Sequence, residues 1–326
     1  MRSGGTRSGG EPSRPSFGAL LGWLIVATVG AVLLTQLFGW TGVNVVAVVQ
    51  SLTPYLGLLL LPVALLALWR RRYALATAAV GVGLGVMLLA APIAFPDPQP
   101  DPVAGSVGLT VASANILYLN DHVADVVPVL DDLGADVLVF SEYTRQHQAA
   151  LDGTAFARTY DHHIDLVGYG ASGIAVWSRY PVTVHAQPET HIESIDLTVA
   201  GPDGDVRVLA LHMPTPLSNF DGWQSDLAVA EEIGKSATEP TLVIGDFNTS
   251  PWHPDFRRLL DAGFVDAHIA NGKGFSTSWP TTWRIPPFVR LDHALTAAGL
   301  VSTDVEDFAI PGSDHRGLMV TVAPTR

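Results

Sequence analysis

The sequence predicts an α/β domain that follows a set of membrane-spanning helices, and three observations support this. Of the 326 residues, 48% are hydrophobic, and the mean hydropathy of +0.30 is too high for an ordinary soluble protein. No charged residue occurs from Phe17 to Trp69, or from Tyr73 to Phe95. Beyond residue 108, short apolar strand patterns alternate with helical patterns, and polar side chains follow several of the strands.

The apolar part predicts three spanning helices, near residues 17–38, 44–68 and 73–95, because about 20 apolar residues cross the hydrocarbon core of a bilayer. Residues 1–16 are rich in Gly, Ser, Pro and Arg, which predicts a disordered tail. Residues 96–107 form a Pro-rich linker, expected to be a stiff spacer before the domain at 108–326. The tail and the Arg70–Arg72 loop lie on one side and are assigned to the cytoplasm by the positive-inside rule. We therefore expect a multi-pass cell-membrane protein with an extracytoplasmic domain.

Charge and composition narrow the chemistry of that domain. Six of the 18 basic residues and two of the 31 acidic residues lie in residues 1–98, which leaves 12 basic and 29 acidic residues and a net charge of −17 beyond them. Such a domain is not expected to bind duplex nucleic acid tightly. The chain contains no cysteine, so disulfides and thiolate metal sites are excluded.

The first polar residues of interest follow two neighbouring predicted strands. Asn115 ends the first strand, a helix is expected over Asp121–Leu133 with Asp121 as its cap, and Glu142 follows the strand Asp136–Phe140. Oxygen side chains at the ends of adjacent strands suit a hard cation such as Mg²⁺. Taken alone, Glu142 is more typical of a solvated acid at the end of a strand.

Asp246 and Asn248 follow the apolar run Leu242–Ile244 and its Gly245. If the backbone stays extended, side chains two residues apart point to the same face, which would present a carboxylate and a carboxamide together. The alternative is an Asx-turn, in which the two residues bond their own backbone. The Thr249–Pro251 segment is expected to open a helix.

Histidines supply the remaining candidates. His212 follows the strand Val206–Leu211 and is suited either to proton transfer or to a structural role. His315 follows Asp314, and either Asp314 or Asp292 could orient a catalytic imidazole, since spacing does not decide between them. The adjacent pair His162 and His163 is expected at a surface, because neighbouring strand residues face opposite ways.

Six of these motifs occur in an order that resembles the endonuclease/exonuclease/phosphatase superfamily, the DNase I-like fold. They are Asn115, Glu142, His212, GDFN at 245–248, RLDH at 290–293 and SDH at 313–315. The resemblance covers residues 108–326 and implies a four-layer α/β/β/α sandwich with its site at one edge of the two packed sheets. The three preceding spans are similar to those of bacterial membrane-anchored members.

The resemblance also implies roles for individual residues. The implied metal ligands are Asn115, Glu142 and Asp314, and the implied catalytic residues are His212, Asp246, Asn248, Asp292 and His315. By analogy, Asp246 orients or deprotonates water, Asn248 binds phosphoryl oxygens, His315 held by Asp292 contacts the phosphate, and His212 protonates the leaving group. The implied cofactor is Mg²⁺, with Mn²⁺ or Ca²⁺ as alternatives. Leu117 stands where AP endonucleases carry an Asp, so abasic-site specificity is not expected.

The function expected from these features is that of a membrane-anchored, extracytoplasmic, Mg²⁺-dependent phosphoesterase. Its substrate would be a phosphate ester, with a lipid headgroup among the candidates, and the reaction an in-line attack by water. The alternatives are an extracytoplasmic nuclease acting on DNA or RNA and a catalytically inactive binding module. Trp279 and the loop Pro280–Val289 are expected either to form a wall over the site or to belong to the core.

Overall fold

A computed structural model describes residues 16–325 of the chain, which divide into two compact units. The helical unit contains the described residues up to Leu34 together with Thr53–Leu88. The sheet unit contains Thr35–Leu52 and everything from Leu89 onward. The predicted tail, apart from Ser16, lies outside the described residues. We refer to Thr35–Leu52 as the inter-helix segment.

The apolar N-terminal region forms four helices where three were predicted. They are α1 (Phe17–Leu37), α2 (Asn44–Ser51), α3 (Thr53–Trp69) and α4 (Tyr73–Ala94). Two of them, α1 and α4, are long and apolar enough to cross a membrane, and the number rises to three if the bent pair α2 and α3 is one span.

The helix predicted near residues 44–68 is divided at Leu52 into α2 and α3, which remain one candidate span as a bent pair. Pro54 lacks the N–H that would bond to the carbonyl of Gln50, so one helical hydrogen bond is lost beside the break. In addition, Ala47 and Gln50 of α2 are fully buried. The short helix α2 therefore belongs to the sheet unit and not to a straight span.

The sheet unit contains two six-stranded sheets. The strands of the first sheet are β1 (Leu109–Asn115), β2 (Val137–Ser141), β3 (His162–Leu166), β4 (Ile174–Ser178), β11 (Leu300–Ala309) and β12 (Arg316–Pro324), in the order β11-β12-β1-β2-β4-β3. The strands of the second sheet are β5 (Val182–Val184), β6 (Ile195–Gly201), β7 (Gly204–His212), β8 (Thr241–Asp246), β9 (Val265–Asp266) and β10 (Asp292–Ala297), in the order β5-β6-β7-β8-β10-β9.

Helices cover the outer faces of these sheets. They are α5 (Val123–Leu133), α6 (Arg145–Leu151), α7 (Phe220–Ser236), α8 (Pro254–Asp261) and the short α9 (Ala267–Ala270). Val111 and Val139 of the first sheet share one buried cluster with Val208 and Ile244 of the second, so the two sheets pack face to face. Leu130 of α5 belongs to a cluster on the first sheet's other face, and α7 and α8 cover the second sheet. The predicted α/β/β/α sandwich is confirmed.

Two crossover connections bring the candidate residues to one edge. The parallel strands β1 and β2 are joined through α5, and their register places Asn115 beside Ser141, next to Glu142. The parallel strands β7 and β8 are joined through α7, and His212 lies beside Asp246. Since parallel strands end on the same side of a sheet, each sheet contributes two polar side chains at its carboxyl edge.

Two local helix predictions differ from the structure. The helix expected from Asp121 begins at Val123, with His122 as its N-cap and no capping side chain. The helix expected near Thr249–Pro251 begins only at Pro254, where proline is tolerated in the first turn.

Part of the Pro-rich linker contacts the first sheet. The Val103 N–H donates to the carbonyl of Pro324 at 2.9 Å, and Pro102 pairs with Thr325. The Gln99 side chain donates to the carbonyl of Ser302 at 2.9 Å. These contacts attach residues 99–103 to the edge of the first sheet.

Candidate active site

A pocket of about 390 Å³ opens at the edge where the polar strand ends of the two sheets meet. Six of the eight predicted site residues line it, namely Glu142, His212, Asp246, Asn248, Asp314 and His315. The other two lie directly behind this lining, since Asn115 bonds to Asp246 and Asp292 bonds to His315. The structure therefore brings all eight residues together.

Asp246 is the centre of this arrangement. Its Oδ2 accepts a hydrogen bond from the Asn115 amide at 3.0 Å and lies 3.7 Å from His315 Nε2 and 3.8 Å from His212 Nε2. The carboxylate is 1% exposed. Burial raises its pKa, against the opposing effect of His315, while the charge of Asp292 adds to the rise. A buried carboxylate with a raised pKa is a stronger base than a solvated one.

Asn248 reaches the pocket by a route that strand geometry did not predict. Strand β8 ends at Asp246, and Asn248 has a left-handed backbone with φ of 47°. The Asn248 N–H donates to Asp246 Oδ1 at 2.9 Å, so the Asx-turn alternative is correct about the backbone. The turn nevertheless leaves both side chains on the pocket, and the Asn248 amide donates to the carbonyl of Met213 at 2.8 Å.

The structure decides which aspartate orients His315. Its Nδ1 donates to Asp292 Oδ2 at 2.8 Å, because Asp292 is paired with Asp246 in the β10–β8 register and so starts its strand at the pocket. Asp314 instead accepts a hydrogen bond from the Trp279 indole at 3.1 Å. Burial alone would lower the pKa of His315, but Asp292 and Asp246 outweigh it and raise the pKa to about 10. The imidazole is therefore cationic at neutral pH.

The donor atoms fit a hard divalent cation. The Asn115 amide donates to Glu142 Oε1 at 3.2 Å as well as to Asp246, so two carboxylates approach one amide. The Asn115 oxygen accepts one bond, from Leu117 N–H at 3.1 Å, and keeps a second lone pair. Only oxygen donors occur in this set, which is the preference of Mg²⁺.

A second grouping, Asp246, Asp292 and His315, also has ligand atoms within 4.8 Å of one another. This grouping includes an imidazole that would have to ligate through Nε2, because the Nδ1 of His315 is bonded to Asp292, whereas the first set contains only oxygen donors.

The RLDH motif supports the site from behind. Asp266 lies 2.9 Å from His293 Nδ1 and 3.2 Å from Arg290, and His293 Nε2 lies 2.8 Å from the carbonyl of Thr249. Burial opposes ionisation of Asp266, but Arg290 and His293 outweigh it and hold the pKa of this carboxyl below its usual range. These contacts fix the chain immediately after Asn248. Asp266 has no neighbouring motif in the sequence that would identify this role.

The pocket walls contain residues that sequence reasoning missed. Trp279 and Val289 line the pocket, in agreement with the alternative that this loop forms a wall over the site. The loop Met213–Ser218 and the inter-helix segment also contribute to the lining. The available signal for that segment was Thr41, a polar residue beside an apolar run, whose hydroxyl donates to Asp255 Oδ2 at 2.6 Å. His163 packs on Trp177 with ring centroids 4.2 Å apart and does not line this pocket.

Solved structures with the same fold include enzymes that act on nucleic acid. TDP2 from D. rerio, solved with a single-strand DNA product, is 17% identical with a TM-score of 0.55, and the match covers 67% of this chain and 99% of that one. NExo, a 3′ phosphatase from Neisseria bound to a product DNA hairpin, is 19% identical with a TM-score of 0.52 over 65% and 98% of the two chains. An AP endonuclease from Archaeoglobus fulgidus is 17% identical with a TM-score of 0.51 over 65% and 98%. At this identity the likeness shows the fold.

No curated protein sequence matches the chain significantly. The sequence model of the Endonuclease/Exonuclease/phosphatase family matches residues 112–315, a stretch that contains all eight site residues. The chain belongs to the endonuclease/exonuclease/phosphatase family of metal-dependent phosphoesterases and nucleases, and it is a hydrolase of that type.

Proposed function

We propose that the protein is a membrane-anchored phosphoesterase that requires Mg²⁺ and works on the extracytoplasmic side of the cell membrane. The observation that carries the proposal is the position of Asp246, buried between two histidines and the Asn115 amide at the floor of one pocket. Mn²⁺ or Ca²⁺ could replace Mg²⁺ in a site built from oxygen ligands.

In the proposed reaction, Asp246 accepts a proton from water as the water oxygen attacks phosphorus. The bond from phosphorus to the leaving oxygen breaks, and His212 donates a proton to that oxygen. His315, held by Asp292, is a cation beside the phosphoryl oxygens, and Asn248 offers its second amide N–H to them. A divalent ion held by Glu142, Asn115 and Asp314 would supply charge neutralisation at those oxygens.

The charge distribution favours a single phosphate group over a polyanion. The domain has a net charge of −17, and no lysine or arginine occurs among the described residues that line the pocket. A duplex would therefore meet no cationic track beside the site. We propose a phosphate ester at the membrane surface, such as a lipid headgroup, as the substrate.

Hydrolysis by the full chain in detergent tests the activity. The substrates are a diester, a monoester, a phospholipid and single-stranded DNA, each with Mg²⁺ and with a chelator. We expect metal-dependent turnover that falls at least about 10²-fold in Asp246→Asn. The matched control is Asp132→Asn, an exposed carboxylate on α5. Equal activity of the two variants would contradict the assignment of Asp246, and exclusive turnover of DNA would establish the nuclease alternative.

The absence of natural cysteine makes the topology testable by labelling. We expect Asp132→Cys to react with a membrane-impermeant maleimide in intact cells. Arg71→Cys, in the loop between α3 and α4, should react only after the membrane is permeabilised. The opposite pattern would place the domain in the cytoplasm.

A further inference from the structure

The inter-helix segment is bound to the sheet unit by polar contacts. His253 Nε2 lies 2.7 Å from the carbonyl of Ala47, and the Gln224 amide donates to the carbonyl of Thr41 at 3.1 Å. The Thr41 hydroxyl also reaches Asp255, as described above, and Ala47 is completely buried. A connection that served only to join two helices would not need buried hydrogen bonds to the catalytic domain.

This binding places one face of α2 on the active-site pocket. Ala47, Val48 and Ser51 line it, and their spacing of one and then three residues puts them on one side of a helix. Val45 of the same helix is 63% exposed and is not among the lining residues. The helix thus has a pocket face and an outward face.

Apart from the site residues, most of the pocket lining is apolar, with Ser51, Thr215, Ser218 and His253 as the polar exceptions. The apolar lining residues are Ala47, Val48, Ala171, Ile192, Met213, Pro214, Pro216, Leu217, Trp279, Val289 and Leu291. Leu217, on the rim, is 66% exposed although it is a large aliphatic side chain. The volume of about 390 Å³ lies within the range of small-molecule sites. A phosphate ester bound at the catalytic residues would therefore place the rest of the substrate molecule against apolar lining residues.

The chain also connects this wall directly to an apolar helix. Ser51 lines the pocket, and α3 begins two residues later at Thr53, which is at most about 8 Å away along the backbone. The bent pair of α2 and α3 is one of the candidate spans.

From these observations we infer that α2 forms part of the substrate site and holds the apolar chain of an amphiphilic phosphate ester, taken from the membrane. This inference rests on the proposed phosphoesterase activity and assigns its substrate class. The helix α2 then contributes to substrate specificity through Val48 and its neighbours.

A series of alkyl p-nitrophenyl phosphate diesters tests the inference on the full chain in nanodiscs. The leaving group stays constant while the alkyl group lengthens from methyl to butyl to octyl. We expect kcat/KM to rise by up to about fourfold per methylene until the pocket is filled, because each methylene leaves water. In Val48→Asp the rise should flatten, whereas in the matched control Val45→Asp it should persist. Leu217→Asp, at an exposed position of the pocket lining, should also flatten the rise of kcat/KM with alkyl length.

The outcomes separate the two proposals. If the methyl ester is not hydrolysed by the unmodified chain, the phosphoesterase proposal fails, and the substrate class fails with it. If the methyl ester is hydrolysed but kcat/KM does not depend on alkyl length, only the inference about α2 is wrong. The same conclusion follows if the dependence on alkyl length is equal in Val48→Asp and Val45→Asp. Partitioning into the bilayer is common to all variants and cannot produce a difference between them.

Two further measurements complete the test. Calorimetric binding of butyl- and octylphosphonate reports on the pocket without turnover, and the tighter binding of the octyl compound should be lost in Val48→Asp. A hexadecyl diester embedded in nanodiscs identifies the source of the substrate. A rate that follows its mole fraction in the bilayer supports a membrane lipid, and turnover of soluble esters alone would overturn that source.

Discussion

Acidification is expected to destabilise the protein through one buried imidazole, that of His253. The Ser250 N–H donates to His253 Nδ1 at 2.8 Å, so the ring proton lies on Nε2 and is donated to the carbonyl of Ala47 at 2.7 Å. A second proton on Nδ1 would face the Ser250 N–H and remove that acceptor. Burial, the largest effect, lowers the pKa of His253 from 6.5 to about 4. The neutral ring therefore joins α2 to the loop that follows Asn248.

The sign of the effect follows from the lowered pKa. Between pH 6.5 and 4 the unfolded chain binds the proton and the folded chain does not, so stability falls as the pH falls through this window. Above pH 6.5 the contribution is fully present. With these two pKa values, the loss at pH 4.5 is about 2.5 kcal/mol.

Urea unfolding of the full chain in detergent, followed by tryptophan fluorescence, measures this loss. Trp223 lies with its ring centroid 5.4 Å from that of His253 and reports on the same region. His253→Asn retains an acceptor for the Ser250 N–H but does not titrate. Between pH 7 and 4.5, the fall in the free energy of unfolding should therefore be smaller in this variant than in the unmodified chain, by about 2.5 kcal/mol. His185→Asn, at an exposed position just after β5, serves as the control. Identical pH dependence in His253→Asn and the unmodified chain would refute the argument.

Three further substitutions have defined outcomes. Asp292→Asn is expected to lower kcat by about 10²–10⁴-fold with little change in KM, because Asp292 acts through the orientation and charge of His315; an unchanged kcat in steady-state assays would argue against that role. Gly245→Ala should prevent folding, since φ is 146° and a Cβ would lie 1.8 Å from a backbone oxygen of β7. The control Gly134→Ala, with open space around the added Cβ, should fold and show only modest destabilisation by circular dichroism. Leu242→Ala, between the two sheets, should lower the free energy of unfolding by about 2–5 kcal/mol in urea titrations, and a cost below 1 kcal/mol would contradict its place in the core.

The fold was predictable because local pattern and tertiary packing agree over most of the domain. The apolar run Leu242–Ile244 is buried between sheet and helix layers, as a central strand requires. The strand predicted at Val206–Leu211 lies within β7 (Gly204–His212). In such segments the apolar residues that define the strand pattern are also the residues that the structure buries, so the pattern alone predicts the strand.

The site was predictable residue by residue but not in its contacts. Asp292 and Asp314 have equivalent histidine neighbours in the sequence, and only the β10–β8 register places Asp292 against His315. Asn248 was expected to face the pocket through an extended backbone, yet it does so through a left-handed turn. Pairing between strands that are distant in sequence decides the first case, and a local turn in which Asn248 N–H bonds to Asp246 decides the second.

The inter-helix segment shows that hydropathy alone does not distinguish a helix that packs on a protein from one that packs in lipid. Residues 44–68 have the hydropathy of one membrane span, because a helix that packs on a protein and a helix that packs in lipid both expose apolar side chains to an apolar neighbour. What distinguishes them is the small polar minority, here Thr41, whose hydroxyl bonds to a buried carboxylate of the catalytic domain. In this chain that minority marks α2 as part of the sheet unit, beside the active-site pocket. It follows that substitutions on the pocket face of α2 should alter which esters are hydrolysed.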